Sequence, residues 1–290
     1  MSSSIKYMVT GASGQLGALT IDALLKTVPA SDIGALVRRE EAAAPLRAKG
    51  VTVRIASYDD EAALVSAFRD VERLLLISSS EVGQRARQHA NVIDAAKAND
   101  VDFIAYTSLL RADTSPLTLL AGEHNATENA LAASGLTYAV LRNGWYTENY
   151  AMSAGQAVEH GTVLGAAADG KISSAARADY ADAAAAVLTG DIPASGTIYE
   201  LAGDTAYTLA EFADEISKLS GKTVTYTNLS QADYEQALKD AGLPDPVADM
   251  LANSDAGAAK GGLYSAETTL SDLIGRKTTP WQDTLKAALS

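Results

Sequence analysis

Between an apolar run, Ile5–Thr10, and an apolar-periodic segment, Gln15–Thr27, lies Gly11-Ala12-Ser13-Gly14-Gln15-Leu16-Gly17. Strand, glycine turn and helix in that order leave bare backbone N–H groups at a helix start. Each glycine has a separate task. Gly11 lets the chain turn sharply where the strand ends. Gly14 removes a side chain that would keep an anion off the backbone, and Gly17 lets the helix lie close on the strand. The spacing is G-x-x-G-x-x-G rather than G-x-G-x-x-G, and alone it also fits an ordinary strand-to-helix turn. The surrounding pattern decides between these.

Short β-like runs alternate with helical patterns through the first half. The runs are Ile5–Thr10, Ile33–Arg38, Val51–Ala56, Arg73–Ser78, Phe103–Thr107 and Thr137–Leu141. Between them fall Gln15–Thr27, Glu40–Ala48, Asp60–Arg69, Gly83–Asn99 and Glu123–Ala133. This order predicts an α/β fold, a doubly wound parallel sheet of the Rossmann type, with any ligand at the carboxyl ends of the strands. Leu74–Ile77 and Phe103–Tyr106 are nearly all apolar, as strands covered on both faces should be. After Asn143 helical patterns dominate: Ala176–Leu188, Leu209–Leu219, Ala232–Ala241, Val247–Ala252, Thr268–Ile274 and Trp281–Leu289, with β-like runs at Ile198–Leu201 and Val224–Thr227. The expected division is a nucleotide domain over residues 1–143, to which later segments can return, and a smaller helix-rich substrate lobe over 144–290. Asn253–Gly262 reads as a mobile loop or frayed helix end.

Composition narrows the chemistry. A net charge of -13 argues against nucleic acid or an anionic membrane as the main partner. With no cysteine, thiolate catalysis, disulfides and cysteine-ligated metals are excluded. The three histidines, His89, His124 and His160, do not pair at ligand spacing, so no metal is expected. No leader pattern or membrane-length apolar run is present, and a cytoplasmic protein is expected, as a monomer or homodimer.

A dinucleotide site needs a group for the adenosine ribose. The second strand ends at Arg38-Arg39 with no acid at its end, which favours a 2′-phosphate and hence NADPH over NADH. Ser13 offers a hydroxyl to the same phosphate. Tyr58 and Asp59 follow the third strand, where an adenine edge would lie. Ser78, Ser79 and Ser80 follow the fourth, and Thr107 closes the fifth near an expected nicotinamide ribose.

Carbonyl reductases of the short-chain type pair a tyrosine acid with a lysine four residues on. No Tyr-x-x-x-Lys occurs here. A ketone needs a strong proton donor as hydride arrives, whereas a quinone spreads the charge and takes its proton from water. The absence therefore favours an electron-poor acceptor. His124 and Glu128 stand four apart on the relevant helix, and an ordinary imidazole pKa would suit His124 as donor; a helix-surface pair fits equally. Asn143, Trp145 and Tyr146 leave the sixth strand. They are expected either to bind nicotinamide and a flat substrate, with Asn143 and Tyr146 the stronger candidates, or to fill a core.

The runs GASGQLG, LLLISSSEVGQR, FIAYTSLLRADTSPL and LRNGWYTENY together resemble the type 2 NAD(P)H:quinone oxidoreductases of the NmrA-like, atypical short-chain dehydrogenase/reductase family. The similarity extends over nearly the whole chain, through Gly257–Gly262. The resemblance implies NADPH as hydride donor and a quinone as acceptor, without flavin. It implies cofactor contacts at Gly11, Ser13, Gly14, Gln15, Leu16, Gly17, Arg38 and the serines after strand four; Ala12 within the turn and Asn143 at the end of the sixth strand are expected to join them. Ser13, where relatives often carry threonine, keeps the hydroxyl. Triphenylmethane or azo dye reduction, and an NADP(H)-sensing regulator without turnover, are the alternatives the same resemblance leaves open.

Overall fold

The computed structural model describes residues 4–290. Strands β1 (Ile5–Val9), β2 (Ile33–Val37), β3 (Thr52–Ile55), β4 (Val71–Leu76), β5 (Phe103–Leu109), β6 (Tyr138–Asn143) and β8 (Thr197–Leu201) form one sheet in the order β3-β2-β1-β4-β5-β6-β8. Pairing is parallel from β3 through β5, with Tyr7 opposite both Ile33 and Arg73. A parallel strand has to return by a crossover, and helices α1 (Gln15–Leu24), α3 (Glu61–Ala67) and α4 (Arg85–Ala98) supply it, as the alternating pattern requires. Every residue of β2 and β5 is buried, which explains why these runs carry no polar alternation. The doubly wound fold is therefore present. The strand order reverses between β1 and β4, and that switch point is where a crevice opens at the carboxyl ends.

Packing divides the chain into two discontinuous units. One unit holds the described residues up to Ser108, Glu123–Arg142 and Arg177–Tyr199; the other holds Leu109–Gly122, Asn143–Ala176 and Glu200–Ser290. The return of helix α8 (Arg177–Thr189) to the first unit has a physical cause. Its Ala183–Ala186 run is almost free of bulk, so α8 packs closely on α1, and Lys26 Nζ meets Asp182 Oδ1 at 3.2 Å. Each unit has its own apolar core.

The second unit contains elements too short for the sequence pattern to show: α6 (Thr147–Ala151), α7 (Ala154–His160) and β7 (Thr162–Gly165), the last paired in parallel with β9 (Thr225–Asn228). Its core stacks Tyr207 on Trp281 at 4.4 Å between ring centres and on Phe212 at 5.6 Å. Asn253–Gly262 is not a mobile loop. Helix α11 runs Asp245–Ala258 with Ser254, Asp255, Gly257 and Ala258 buried. A Cβ on Gly257 would stand 2.7 Å from Leu117 Cδ1 and one on Gly262 2.5 Å from it, so these two glycines serve close packing.

Candidate functional site

The glycine turn folds as its spacing requires. Gly11 adopts φ +57°, a left-handed conformation that would strain another residue. Its carbonyl accepts from Gly14 N at 2.9 Å and closes the turn. A Cβ at Gly17 would lie 2.3 Å from Gly11 O and 2.7 Å from Ala12 Cα, so the helix reaches the turn only because Gly17 has no side chain. Gly17→Ala is expected to cost about 1–3 kcal/mol through overpacking, read as a lower urea midpoint. Gly14 caps α1 with no side chain, and the first turn carries no acid. That helix start is open to an anion.

A cavity of about 300 Å³ lies at the switch point. Of the residues singled out from sequence, it gathers Gly11, Ser13, Gly14, Arg38, Tyr58, Ser78, Ser79 and Ser80 along its wall. Leu36, Val37, Ala56, Ser57, Ile77, Glu81 and Gln88 complete it. Four other residues of the glycine turn do not line it. Ala12 and Leu16 are buried, Gly17 is taken up in packing, and Gln15 opens α1 with an exposed side chain. Thr107 also stands behind the wall, buried, with Oγ1 accepting from Ser78 N at 2.9 Å. The Tyr58 ring lines the cavity, but its hydroxyl is engaged elsewhere, donating to Thr10 Oγ1 at 2.5 Å with Ile77 O at 3.0 Å. Thr10 Oγ1 in turn donates to Leu75 O and accepts from Ile77 N, each at 3.0 Å. The ends of β1, β3 and β4 are thus tied together, and the cavity floor is pre-formed.

The charged rim is a connected network. Arg38 Nη1 donates to Glu81 Oε1 at 2.5 Å. Gln88 Nε2 donates to Glu81 Oε2 at 2.9 Å and lies 3.3 Å from both Asp59 oxygens. Arg87 Nη2 donates to Asp59 Oδ1 at 2.6 Å, and this bond, with that from Gln88, holds the Asp59 carboxyl below its ordinary pKa. Gln88 Oε1 is buried with no protein partner. The open helix start, the Arg38 guanidinium, five serines and an apolar floor fit a phosphorylated dinucleotide. Sequence reasoning missed Glu81 and Gln88. The signal for Glu81 was its place directly after the serine run at the carboxyl end of β4.

Behind the serine loop stands His89, which the sequence reading passed over except as a possible metal ligand. Its Nε2 accepts from Ser79 N at 2.9 Å, so the proton sits on Nδ1, which donates to Thr127 Oγ1 at 2.8 Å. Burial, reinforced by the Arg85 charge, pushes His89 down to about 3. His124 differs from the sequence reading. It is not on the helix surface but 6% exposed, with Nδ1 at 2.8 Å from Tyr106 Oη. Burial first, then Arg85 and His89, pushes it down to about 3, so it holds no imidazolium proton to donate at neutral pH. Nor does Glu128 serve as its surface partner: Glu128 accepts from Arg142 Nη2 at 2.7 Å, from Arg142 Nε at 3.1 Å and from Ser108 Oγ at 2.5 Å. Desolvation made the difference, and a helix pattern rich in alanine does not show which face is covered.

In the second unit, Asn143 ends β6 with its side chain buried. Its Nδ2 lies 3.3 Å from Tyr146 Oη, and its Oδ1 has no protein partner. Trp145 is buried in the apolar core of this unit beside Tyr150, the core-filling alternative for that residue.

Comparison with known proteins agrees with this geometry. The chain is 63% identical to Quinone oxidoreductase 2 of Escherichia coli over 271 residues, 93% of this chain and 94% of that one. The crystal structure of the NADPH-dependent quinone oxidoreductase of Escherichia coli complexed with NADPH superposes with a TM-score of 0.95 at 60% identity, covering 98% of this chain and all of that one. Triphenylmethane reductase of Citrobacter sp., complexed with NADP(H), superposes at 0.93 with 37% identity, covering 98% and 100%. The NmrA-like family matches residues 3–277, and the chain belongs to that family.

Proposed function

We propose that this protein is an NADPH-dependent quinone reductase. The observation that carries the reading is the convergence of Arg38, Ser13 and the open start of α1 on one cavity. The identity to a quinone oxidoreductase over most of both chains supports the acceptor. NADPH supplies two electrons and a hydrogen as hydride from nicotinamide C4, and the quinone becomes hydroquinone after taking a proton from water.

The residues of this chain bind and orient. The N–H groups at the start of α1 receive the pyrophosphate, and Arg38 and Ser13 receive the 2′-phosphate. Leu36, Ala56, Tyr58 and Ile77 offer apolar walls to the adenosine. Asn143, whose buried Oδ1 lacks a protein partner, and Tyr146, hydrogen-bonded to it, position the nicotinamide and the quinone. His124 enters as a neutral hydrogen-bonding ring and not as an acid. Catalysis then rests on positioning rather than on a strong proton donor, consistent with the missing Tyr-x-x-x-Lys. Among the described residues no helix is long and apolar enough to cross a membrane. We place the protein in the cytoplasm, as a monomer or homodimer acting on small molecules.

The test is NADPH oxidation with a benzoquinone, a naphthoquinone, a triphenylmethane dye and an azo dye. Turnover with the quinones, exceeding that with the dyes, is the expected result. Turnover confined to the dyes would assign a dye reductase, and NADPH binding without turnover on any acceptor would assign a sensor.

A further inference from the structure

We infer that Glu81 sets how strongly this protein prefers NADPH over NADH, by occupying the arginine that the 2′-phosphate needs. The inference rests on the cofactor reading above. In that reading the phosphate goes to Arg38, yet Arg38 is already paired: its Nη1 donates to Glu81 Oε1 at 2.5 Å on the wall of the same cavity. The carboxylate is not a wandering surface group. Gln88 Nε2 holds its second oxygen at 2.9 Å, Asp59 accepts from the same amide nitrogen, and Glu81 N donates to Ser79 Oγ at 3.2 Å. Glu81 is therefore braced against Arg38 from the side of β4.

The two cofactors meet this carboxylate differently. A 2′-phosphate carries between one and two negative charges at neutral pH, and its dominant dianion has only acceptor oxygens to offer. It has to compete with Glu81 for the Arg38 guanidinium and stays within a few ångströms of a like charge. A 2′-hydroxyl is a donor, and a carboxylate at this place accepts from it. The ribose-binding acid absent from the end of β2 is thus supplied from the loop after β4, 43 residues along the chain from Arg38. Arg38 favours NADPH and Glu81 offsets part of that preference in favour of NADH. Specificity is the difference of the two affinities, so one carboxylate can move it from both sides.

Titration of the full-length protein with NADPH and with NADH, followed by nicotinamide fluorescence, tests this on the wild type, Glu81→Gln and Glu81→Ala. Glu81→Gln keeps the shape and a hydrogen-bonding end, and Glu81→Ala removes both. Both variants are expected to bind NADPH about three- to tenfold more tightly and NADH about two- to fivefold more weakly, which raises the NADPH preference at least about sixfold. A wild type that prefers NADPH, with the preference unchanged or reduced in both variants, overturns the role of Glu81 and leaves the cofactor reading intact. A wild type that binds neither nucleotide overturns the cofactor reading, and the role of Glu81 with it.

Discussion

Arg38→Ala is expected to weaken NADPH binding by about tenfold to a hundredfold and to leave NADH within about twofold. The magnitude is that of a charge-assisted hydrogen bond, about 1.5–3 kcal/mol, converted at about 1.4 kcal/mol per tenfold. Arg38 directly follows β2, so its backbone is fixed by the sheet, while its side chain is more than half exposed at the cavity mouth. Its removal should therefore cost little folding stability, and Arg47 and Glu40 nearby remain paired with each other. The variant leaves Glu81 without its cationic partner, which adds repulsion to the lost attraction for a phosphate and adds neither for a hydroxyl. The two nucleotides are best compared by titration at one ionic strength, because a partly screened charge pair weakens with salt. Equal weakening of NADPH and NADH would mean that Arg38 supports the cavity as a whole. Unchanged NADPH affinity would place the 2′-phosphate elsewhere.

How far this site was legible follows from where its parts lie in the chain. The glycine turn and Arg38 belong to one strand–turn–helix–strand unit, and each has a local reason to be what it is. The six strand runs of the first half fall within two residues of β1 to β6 at every end, most firmly grounded for β2 and β5, where strands covered on both faces need unbroken apolar runs. The second unit was less legible. Helices of five and seven residues and a four-residue strand, α6, α7 and β7, are shorter than the window over which periodicity speaks. The return of α8 to the first unit depends on which helix its alanine face meets, and that partner is α1, more than 150 residues earlier. Glu81 illustrates the same limit in the site. Its neighbours Arg38 and Gln88 come from β2 and α4, and only the strand order, with β4 beside β1, brings their loops to one rim. His124 shows a different limit. Spacing placed it correctly on a helix beside Glu128, but spacing carries no information about burial. Once Arg142 and Ser108 claim Glu128, the histidine turns to Tyr106 and loses its ordinary pKa.

That loss has a measurable consequence for stability. His89 and His124 are both pushed down to about 3 in the folded protein, from 6.5 when exposed. Between those values the unfolded chain binds protons that the folded protein does not, so stability must fall as pH falls. The contribution is fully present above about 6.5 and is lost progressively toward 3. At pH 5 each histidine costs about 2 kcal/mol relative to pH 7, and the pair about 4 kcal/mol, a large part of the 5–15 kcal/mol that holds a typical domain together. Asp255, whose carboxyl burial pushes upward, titrates in the opposite sense and offsets part of this loss. Urea unfolding at pH 7 and pH 5 reads the difference directly. His89→Gln removes one titrating group while leaving an amide oxygen able to accept from Ser79 N, and is expected to lower stability at pH 7 but to cut the pH 7-to-5 difference by about half. A wild-type stability that does not change between these pH values would mean that the two rings take up protons inside the fold as readily as in the unfolded chain. The hydrogen bond from Ser79 N to His89 Nε2 would then have to be broken, since a protonated ring nitrogen accepts from no donor.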